Sequence, residues 1–358
     1  MKILILTNHS YMFWQFRREL TEELLKKHRV FLCMPFVGHE EDFAAMGAEC
    51  IPADLERRGK NPLKDLELFL AYRSVMKKVR PHLVLTYSIK PNIYGGLACR
   101  MAGIPYFACV QGLGTAFQSR HLAGAVSFLY RRGLRGAEKV FFENRADAAE
   151  FASRGIVDVK RQVILPGAGV NLDYYACLSY PRNEKFHFLY LGRIMREKGV
   201  DELFAALRLL RGDFVLDLAG FYEEDYGDRV RRLEKEGLAV FHGFQEDPRP
   251  LYAMADCVVM PSYHEGMSNV NLEAAASGRP LITSDIPGCR EAVEEGVTGL
   301  LTRKGSTQAL ALAMQDMMDR SPEAREAMGL AGRRKMEKEF DRQDVIRAVL
   351  EAMELGDR

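Results

Sequence analysis

Two carboxylates stand eight positions apart in "PSYHEGMSNVNLEAAASG" (residues 261–278), Glu265 in a stretch that reads as a turn and Glu273 in a short alanine-rich helix over 269–277. Eight helical residues span about 12 Å, enough for the pair to bracket an extended ligand. Ser268 or Asn269 can cap the helix, which leaves the N–H groups of 268–271 facing a phosphate. Ala274, Ala275 and Ala276 let the helix approach neighbouring backbone closely. A second group lies upstream in "LGRIMREKGVDEL", where Arg193 and Lys198 are five apart on a loop entering a helix at Val200. Two cations beside a helix N-terminus make a diphosphate site, because the dipole and unpaired N–H groups add to their charge. The bland alternatives are a solvated basic loop, to which Arg196 also belongs, and an ordinary helix glutamate. His264 reads as a hydrogen-bonded structural histidine sooner than as a base.

Other chemistries find little support. A dinucleotide-binding G-x-G-x-x-G is absent after the first strand, and "GLGTAF" (112–117) reads as a close turn. No His/Asp/Glu cluster has metal-ligand spacing and no Ser/His/Asp signature is present, so neither a metal nor another cofactor is expected. Seven scattered cysteines without a C-x-x-C pair suit a reducing cytosol. Fifty basic residues against 49 acidic give a formal charge of +1, which argues against a general nucleic-acid binder. No signal peptide or stretch of the roughly 18 apolar residues of a membrane span is read. The expected location is cytoplasmic.

These residues need strands to position them. "KILILTN" (2–8) is an apolar run suited to a strand covered on both faces, followed by helical spacing at Phe16, Leu20, Leu24 and Leu25. Strands are expected at "RVFLCMP", "PHLVLTYS" (81–88), "YFACVQG" and "KVFFENR", with a helix at "GGLACRMAG" and "RQVILPGAGVNL" (161–172) closing the first half. The alternation restarts at "KFHFLYLGR" (185–193), with strands at 214–220, 240–244, 257–262 and 280–285 and helices near 199–211, 226–236, 248–255, 269–277, 289–295 and 306–319. Charged amphipathic helices run from Pro322 to about Leu355. Such alternation predicts an α/β protein with two doubly wound, Rossmann-like domains and a cleft between them at the carboxyl ends of the strands. The expected division is 1–173, a linker at 174–185, 186–340, and a C-terminal helix at 341–358 returning to the first domain.

"GRIMREKG", "PSYHEGMSNVNLEAAASGRPLITSDIPG" and "EEGVTGLL" together resemble the retaining glycosyltransferases of family 4, of GT-B architecture, over about 185–302. "GAGVN" (167–171) resembles the family's segment at the end of the first domain. "YSIKPNIYGGLACRMAGIPYFACVQGLGTAF" is similar to bacterial enzymes that extend lipid-linked oligosaccharides in capsule, O-antigen and N-glycan assembly. The resemblance implies a UDP-sugar donor, with an N-acetylhexosamine or uronic acid favoured, and a polyprenyl-diphosphate-linked saccharide acceptor. Arg193 and Lys198 would hold the donor diphosphate without a metal, and Glu265 would approach the sugar. The N–H groups of Gly266, Met267, Ser268, Asn269 and Val270 would reach sugar and phosphate oxygens, and Glu273 the ribose hydroxyls. The base would lie against 220–222 ("GFY") and 243–247 ("GFQED"), which brings in Gly243 and Phe244.

Two departures concern the first half. Gln111 stands where many relatives carry a histidine touching the transferred sugar, so an amide contact persists but an imidazolium is lost. "NHSYMFW" replaces a glycine-rich loop, and Asn8, His9 and Ser10 are expected to shape the acceptor pocket. "HLAGAVSFLYRRGLR" (121–135) carries Leu122, Val126, Leu129 and Tyr130 on one side and Arg131, Arg132 and Arg135 near its end. It suits either peripheral contact with an anionic membrane or a core-facing helix with a solvated basic end. Alternative functions of the same architecture are a UDP-sugar 2-epimerase and a catalytically silent sugar-nucleotide-binding protein.

Overall fold

The computed structural model describes residues 1–53, 61–113, 117 and 120–354. The chain divides into two compact units: Met1–Ala168 with the residues from Ile346 onward, and Gly169–Val345. The first unit has strands β1 (Lys2–Leu6), β2 (Arg29–Met34), β3 (Glu49–Pro52), β4 (Leu83–Tyr87), β5 (Tyr106–Val110), β6 (Val140–Phe142) and β7 (Gln162–Ile164). Its helices are α1 (Ser10–Leu25), α2 (Glu40–Ala45), α3 (Pro62–Val79), α4 (Gly96–Ala102), α5 (Arg120–Leu134) and α6 (Arg145–Ser153). In the second unit the strands are β8 (Phe186–Leu191), β9 (Phe214–Ala219), β10 (Ala239–Gly243), β11 (Cys257–Met260), β12 (Leu281–Ser284) and β13 (Gly299–Thr302). Its helices are α7 (Val200–Leu207), α8 (Gly227–Lys235), α9 (Arg249–Met254), α10 (Asn269–Ala276), α11 (Thr307–Asp319) and α12 (Pro322–Glu339); α13 (Arg342–Ala352) spans the second division.

Both sheets are parallel, with orders β3-β2-β1-β4-β5-β6-β7 and β10-β9-β8-β11-β12-β13. Every residue of β4, β5, β9, β11 and β12 is buried, as apolar runs covered on both faces require. The strand order reverses between β1 and β4 in the first unit and between β8 and β11 in the second. In open α/β sheets such switch points, outside the carboxyl ends of the strands, are where ligands bind.

Several sequence expectations change. Residues 289–295 form only a short 3₁₀ turn at Arg290–Ala292. The edge strands β3 and β13, only four residues each, add to the strands expected from apolar runs. The "GGLACRMAG" helix opens with a π-helical turn over Pro91–Gly95. Asn92 pins that turn from a buried position, accepting from Thr86 Oγ1 at 2.7 Å and donating to the Cys109 carbonyl at 2.8 Å. Segment 174–185 has neither helix nor strand but packs on the second unit. Buried Arg279 donates to the Tyr252 and Ser179 carbonyls at 2.7 Å, and Arg325 reaches the Tyr180 hydroxyl at 2.9 Å.

The apolar stripe of α5 faces the core. Tyr130 is buried, and Val126 and Leu129 pack against the same cluster; Leu122 lies outside the described side chains. Arg131 donates to the carbonyls of Arg154 and Gly155 at 2.8 and 3.1 Å, and Arg132 covers exposed Phe128 with its guanidinium 5.0 Å from the ring centre. The core-facing alternative therefore describes this helix, and its apolar side is not available to a bilayer. Of the close turn at 112–117, residues 114–116 lie outside the described residues.

Candidate active site

The loops after β8 and β11 meet at the switch point of the second unit. Gly199 takes φ 73° at the end of the 3₁₀ turn Arg196–Lys198, and a Cβ there would lie 2.1 Å from the Pro261 carbonyl oxygen, so only glycine allows this approach. Tyr263 fastens the two loops, donating its N–H to the Glu197 carbonyl at 2.8 Å and its hydroxyl to Glu202 at 2.6 Å. The result is an ion pair, Lys198 Nζ to Glu265 Oε1 at 2.5 Å, with side chains 16% and 13% exposed. Partial burial makes this pair far more sensitive to a new charge than a surface pair is. Arg193, held through its carbonyl by the Tyr190 hydroxyl, faces Glu223 at 3.6 Å. Both expected diphosphate cations thus have carboxylate neighbours, a balance that the spacing of Arg193 and Lys198 did not reveal.

Ser268 caps α10, its Oγ accepting from the Asn271 N–H at 3.4 Å. Its own N–H is bonded to the Gly288 carbonyl at 2.7 Å. Of the expected N–H groups, those of 268 and 271 are therefore spent, and Asn269 and Val270 remain as the orphan donors of the first turn. Met267 is buried, and Gly288 packs against the Glu265 and Gly266 carbonyls. The alanines do permit close approach: Gly332 of α12 lies against Ala275, and a Cβ on Gly329 would lie 2.0 Å from the Gly278 carbonyl oxygen. His264 is only partly covered, and among the described residues no hydrogen bond holds it in the structural role expected. That partial burial first, and Lys304 second, lower its pKa.

Glu273, expected to accept from ribose hydroxyls, is 3% exposed and accepts from the Tyr252 hydroxyl at 2.9 Å, with Tyr175 as a second hydrogen-bond partner. Burial raises its pKa to about 7, against the opposing effects of Tyr252, Arg342 and Tyr175. The loops expected to receive a base are joined by the Gly220 N–H to Gly243 carbonyl bond at 2.8 Å. They present Phe221 and Phe244, both about half exposed, with ring centres 6.4 Å apart.

At the first unit's switch point, Asn8 follows β1, Ser88 follows β4 and Gln111 follows β5. Ser88 Oγ lies 3.0 Å from the Asn8 amide and 3.3 Å from the Gln111 amide. Nothing in the sequence marks Ser88, since a serine at φ 72° has no sequence signature. Ser10 does not join them: it is fully buried, donating to the Gly38 carbonyl at 2.8 Å and accepting from the Val37 N–H at 2.7 Å. A ligand contact is excluded for its hydroxyl in this arrangement. His9 is the N-cap residue of α1 and supplies no side-chain cap. Among the described residues, no group of three or more His, Cys, Asp or Glu is placed to hold a metal ion, and no helix is long and apolar enough to cross a membrane.

Two protein families match the chain in tandem: one described as "Glycosyl transferase 4-like" over residues 2–144 and one described as "Glycosyl transferases group 1" over 185–320. The chain is 26% identical to N,N'-diacetylbacillosaminyl-diphospho-undecaprenol alpha-1,3-N-acetylgalactosaminyltransferase of Campylobacter jejuni, over 88% of this chain and 90% of the relative. It is 35% identical to a glycogen synthase of Mycobacterium tuberculosis, but over 47% of this chain and 42% of that protein. Among solved structures, Anabaena HepE in complex with UDP aligns over 99% of this chain and 100% of its own, with a TM-score of 0.81 and 20% identity. The chain is a two-domain protein of GT-B fold, related to the family 4 glycosyltransferases.

Proposed function

We propose that the protein is a retaining, metal-independent glycosyltransferase that moves a hexose-type sugar from a UDP-sugar to a polyprenyl-diphosphate-linked saccharide in surface glycan assembly. The observation that carries this reading is the Lys198–Glu265 pair, held between the β8 and β11 loops beside the orphan amides of α10. Support for the acceptor class comes from the name of the Campylobacter relative, and for the donor from the UDP complex of HepE. A diphosphate would draw Lys198 from Glu265 and Arg193 from Glu223, and the two cations with the Asn269 and Val270 amides would stabilise the charge that develops on the leaving group. Glu265, released from its cation, would accept from sugar hydroxyls. In a retaining reaction the acceptor hydroxyl attacks from the face the diphosphate leaves, and the departing phosphate oxygen takes its proton.

For the ribose to reach Glu273, the Tyr175 hydroxyl would have to yield its place, while Phe221 and Phe244 would cover the base. The acceptor stays at a bilayer through its lipid. We place peripheral membrane contact at the cytoplasmic face on α3, where Leu63, Leu66 and Leu70 are exposed at helical spacing. Replacing these three leucines by serine should abolish pelleting with anionic liposomes; unchanged pelleting excludes this face. The catalytic reading is tested by UDP release from a panel of UDP-sugars, with and without extracted lipid-linked saccharide. Acceptor-dependent release is expected. Acceptor-free conversion of the sugar without UDP loss would identify an epimerase, and binding without turnover a sugar-nucleotide-binding protein.

A further inference from the structure

The cluster of Asn8, Ser88 and Gln111 contains no charge, and its hydrogen count restricts what it can bind. Asn8 and Ser88 are half-buried and Gln111 is exposed, so their outer edges face solvent. Ser88 Oγ approaches both amides, at 3.0 and 3.3 Å, but a serine has one proton to donate. The shorter contact takes it, Ser88 donating to Asn8 Oδ1. The Gln111 contact is then attractive only with its NH2 turned towards Ser88 Oγ, because the two ends of a terminal amide are isosteric and hydrogen bonding decides between them. The outward edge therefore shows the NH2 of Asn8 and the carbonyl of Gln111. Giving the proton to Gln111 instead exchanges the two roles and leaves the same pattern: one donor group beside one acceptor.

That pattern suits a sugar hydroxyl or an acetamido group, each of which gives a proton and accepts one. A carboxylate only accepts, and would leave an amide carbonyl facing its lone pairs without a proton. Ser88 is also rigidly presented. It sits at φ 72°, a left-handed conformation in which its carbonyl accepts from the Asn92 N–H at 3.0 Å, and Asn92 is itself fixed by Thr86 and Cys109.

We propose that Ser88 is a specificity-determining positioning residue, which sets Asn8 and Gln111 in opposite senses so that the cluster accepts a neutral sugar and disfavours a uronic acid. This rests on the transferase reading and narrows it, because a uronic acid is no longer an equal candidate. The test below distinguishes whether the sugar read is the one transferred or the acceptor's terminal one.

Ser88→Gly is the test, since glycine adopts this backbone without strain while the hydroxyl is lost. UDP affinity is measured by titration. Then kcat and KM are measured with UDP-N-acetylglucosamine, UDP-glucose and UDP-glucuronic acid, and with paired lipid-linked acceptors ending in a neutral or a uronic sugar. UDP affinity should stay within about twofold, while kcat/KM for the preferred neutral substrate falls about tenfold, the effect of one lost hydrogen bond. Discrimination against the uronic counterpart should shrink as well. A change confined to donor parameters assigns the cluster to the transferred sugar, and a change confined to acceptor parameters to the acceptor; either supports the proposal. Undiminished discrimination in Ser88→Gly, or a wild type that prefers uronic substrates on both sides, overturns it. Failure of the wild type to bind UDP removes the transferase reading itself, and this inference with it.

Discussion

In the first unit the loops after β1 and β4 meet as Asn8 and Ser88, two neutral groups 3.0 Å apart; in the second, the loops after β8 and β11 meet as Lys198 and Glu265, opposite charges 2.5 Å apart. The sheet positions are equivalent and the chemistry is not. An ion pair can be drawn apart by a diphosphate, whose charge competes with that of Glu265, so the second unit is suited to a ligand whose charge changes during reaction. Neutral amides locked by one hydroxyl are suited to shape and hydrogen-bond pattern. On the proposed reading, the same architecture separates the work of charge stabilisation from that of reading a sugar.

The comparison can be broken at its charged end first. Glu265→Gln should reduce transfer by about 10²–10³-fold, the effect of removing one preorganised group. The same change should tighten UDP binding several-fold because Lys198 is freed; titration and initial rates read the two effects separately. Weaker UDP binding with intact transfer would mean that the pair is only structural.

Glu273 gives a pH effect that has no counterpart among the amides. Its pKa is about 7 in the folded chain against 4.5 for the ordinary carboxyl, so the native state holds the proton more tightly. Its contribution to stability is complete below about pH 4.5 and is lost as pH rises through 7. Glu273→Gln should therefore be more stable than wild type at pH 8, by a difference on the order of 3 kcal/mol, and should lose this advantage near pH 5. Urea unfolding at both pH values checks it.

Gly199→Ala forces a Cβ to within 2.1 Å of the Pro261 carbonyl oxygen at a left-handed φ. A loss of about 1–3 kcal/mol of stability is expected, with a fall in transfer because the Lys198 loop is displaced. Thermal melting and rates would show both. The smallest effect sharpens the first unit: Ser10→Ala should cost about 1–2 kcal/mol through the bonds to Gly38 and Val37, with KM for donor and acceptor unchanged. A raised KM would return Ser10 to the ligand site.

The second unit's constellation was legible because its parts are local: a basic loop after a strand, a serine cap, and two glutamates at fixed spacing. The sequence could not show how those charges are answered. Glu223, Tyr175 and Tyr252 come from other elements, so Arg193 looked open and Glu273 looked free for a ribose. In the first unit Ser88 lies far along the chain from Asn8, and only strand order brings them together. Ser10 had the right atom type, but the burial of its hydroxyl is a tertiary fact. The stripe on α5 was legible as a stripe, since one apolar face at helical spacing serves a core and a bilayer equally. The central strands followed from their apolar runs, whereas β3 and β13 were too short and too near the sheet edges to stand out.

The most direct test of the central claim, that the Lys198–Glu265 pair is the centre of a donor-cleaving site, is the rate of UDP formation by Lys198→Met. Methionine keeps much of the side-chain length and removes the charge. With a melting curve like that of wild type, acceptor-dependent UDP formation should fall at least about 100-fold. A correctly folded variant turning over within about twofold of wild type would contradict the account.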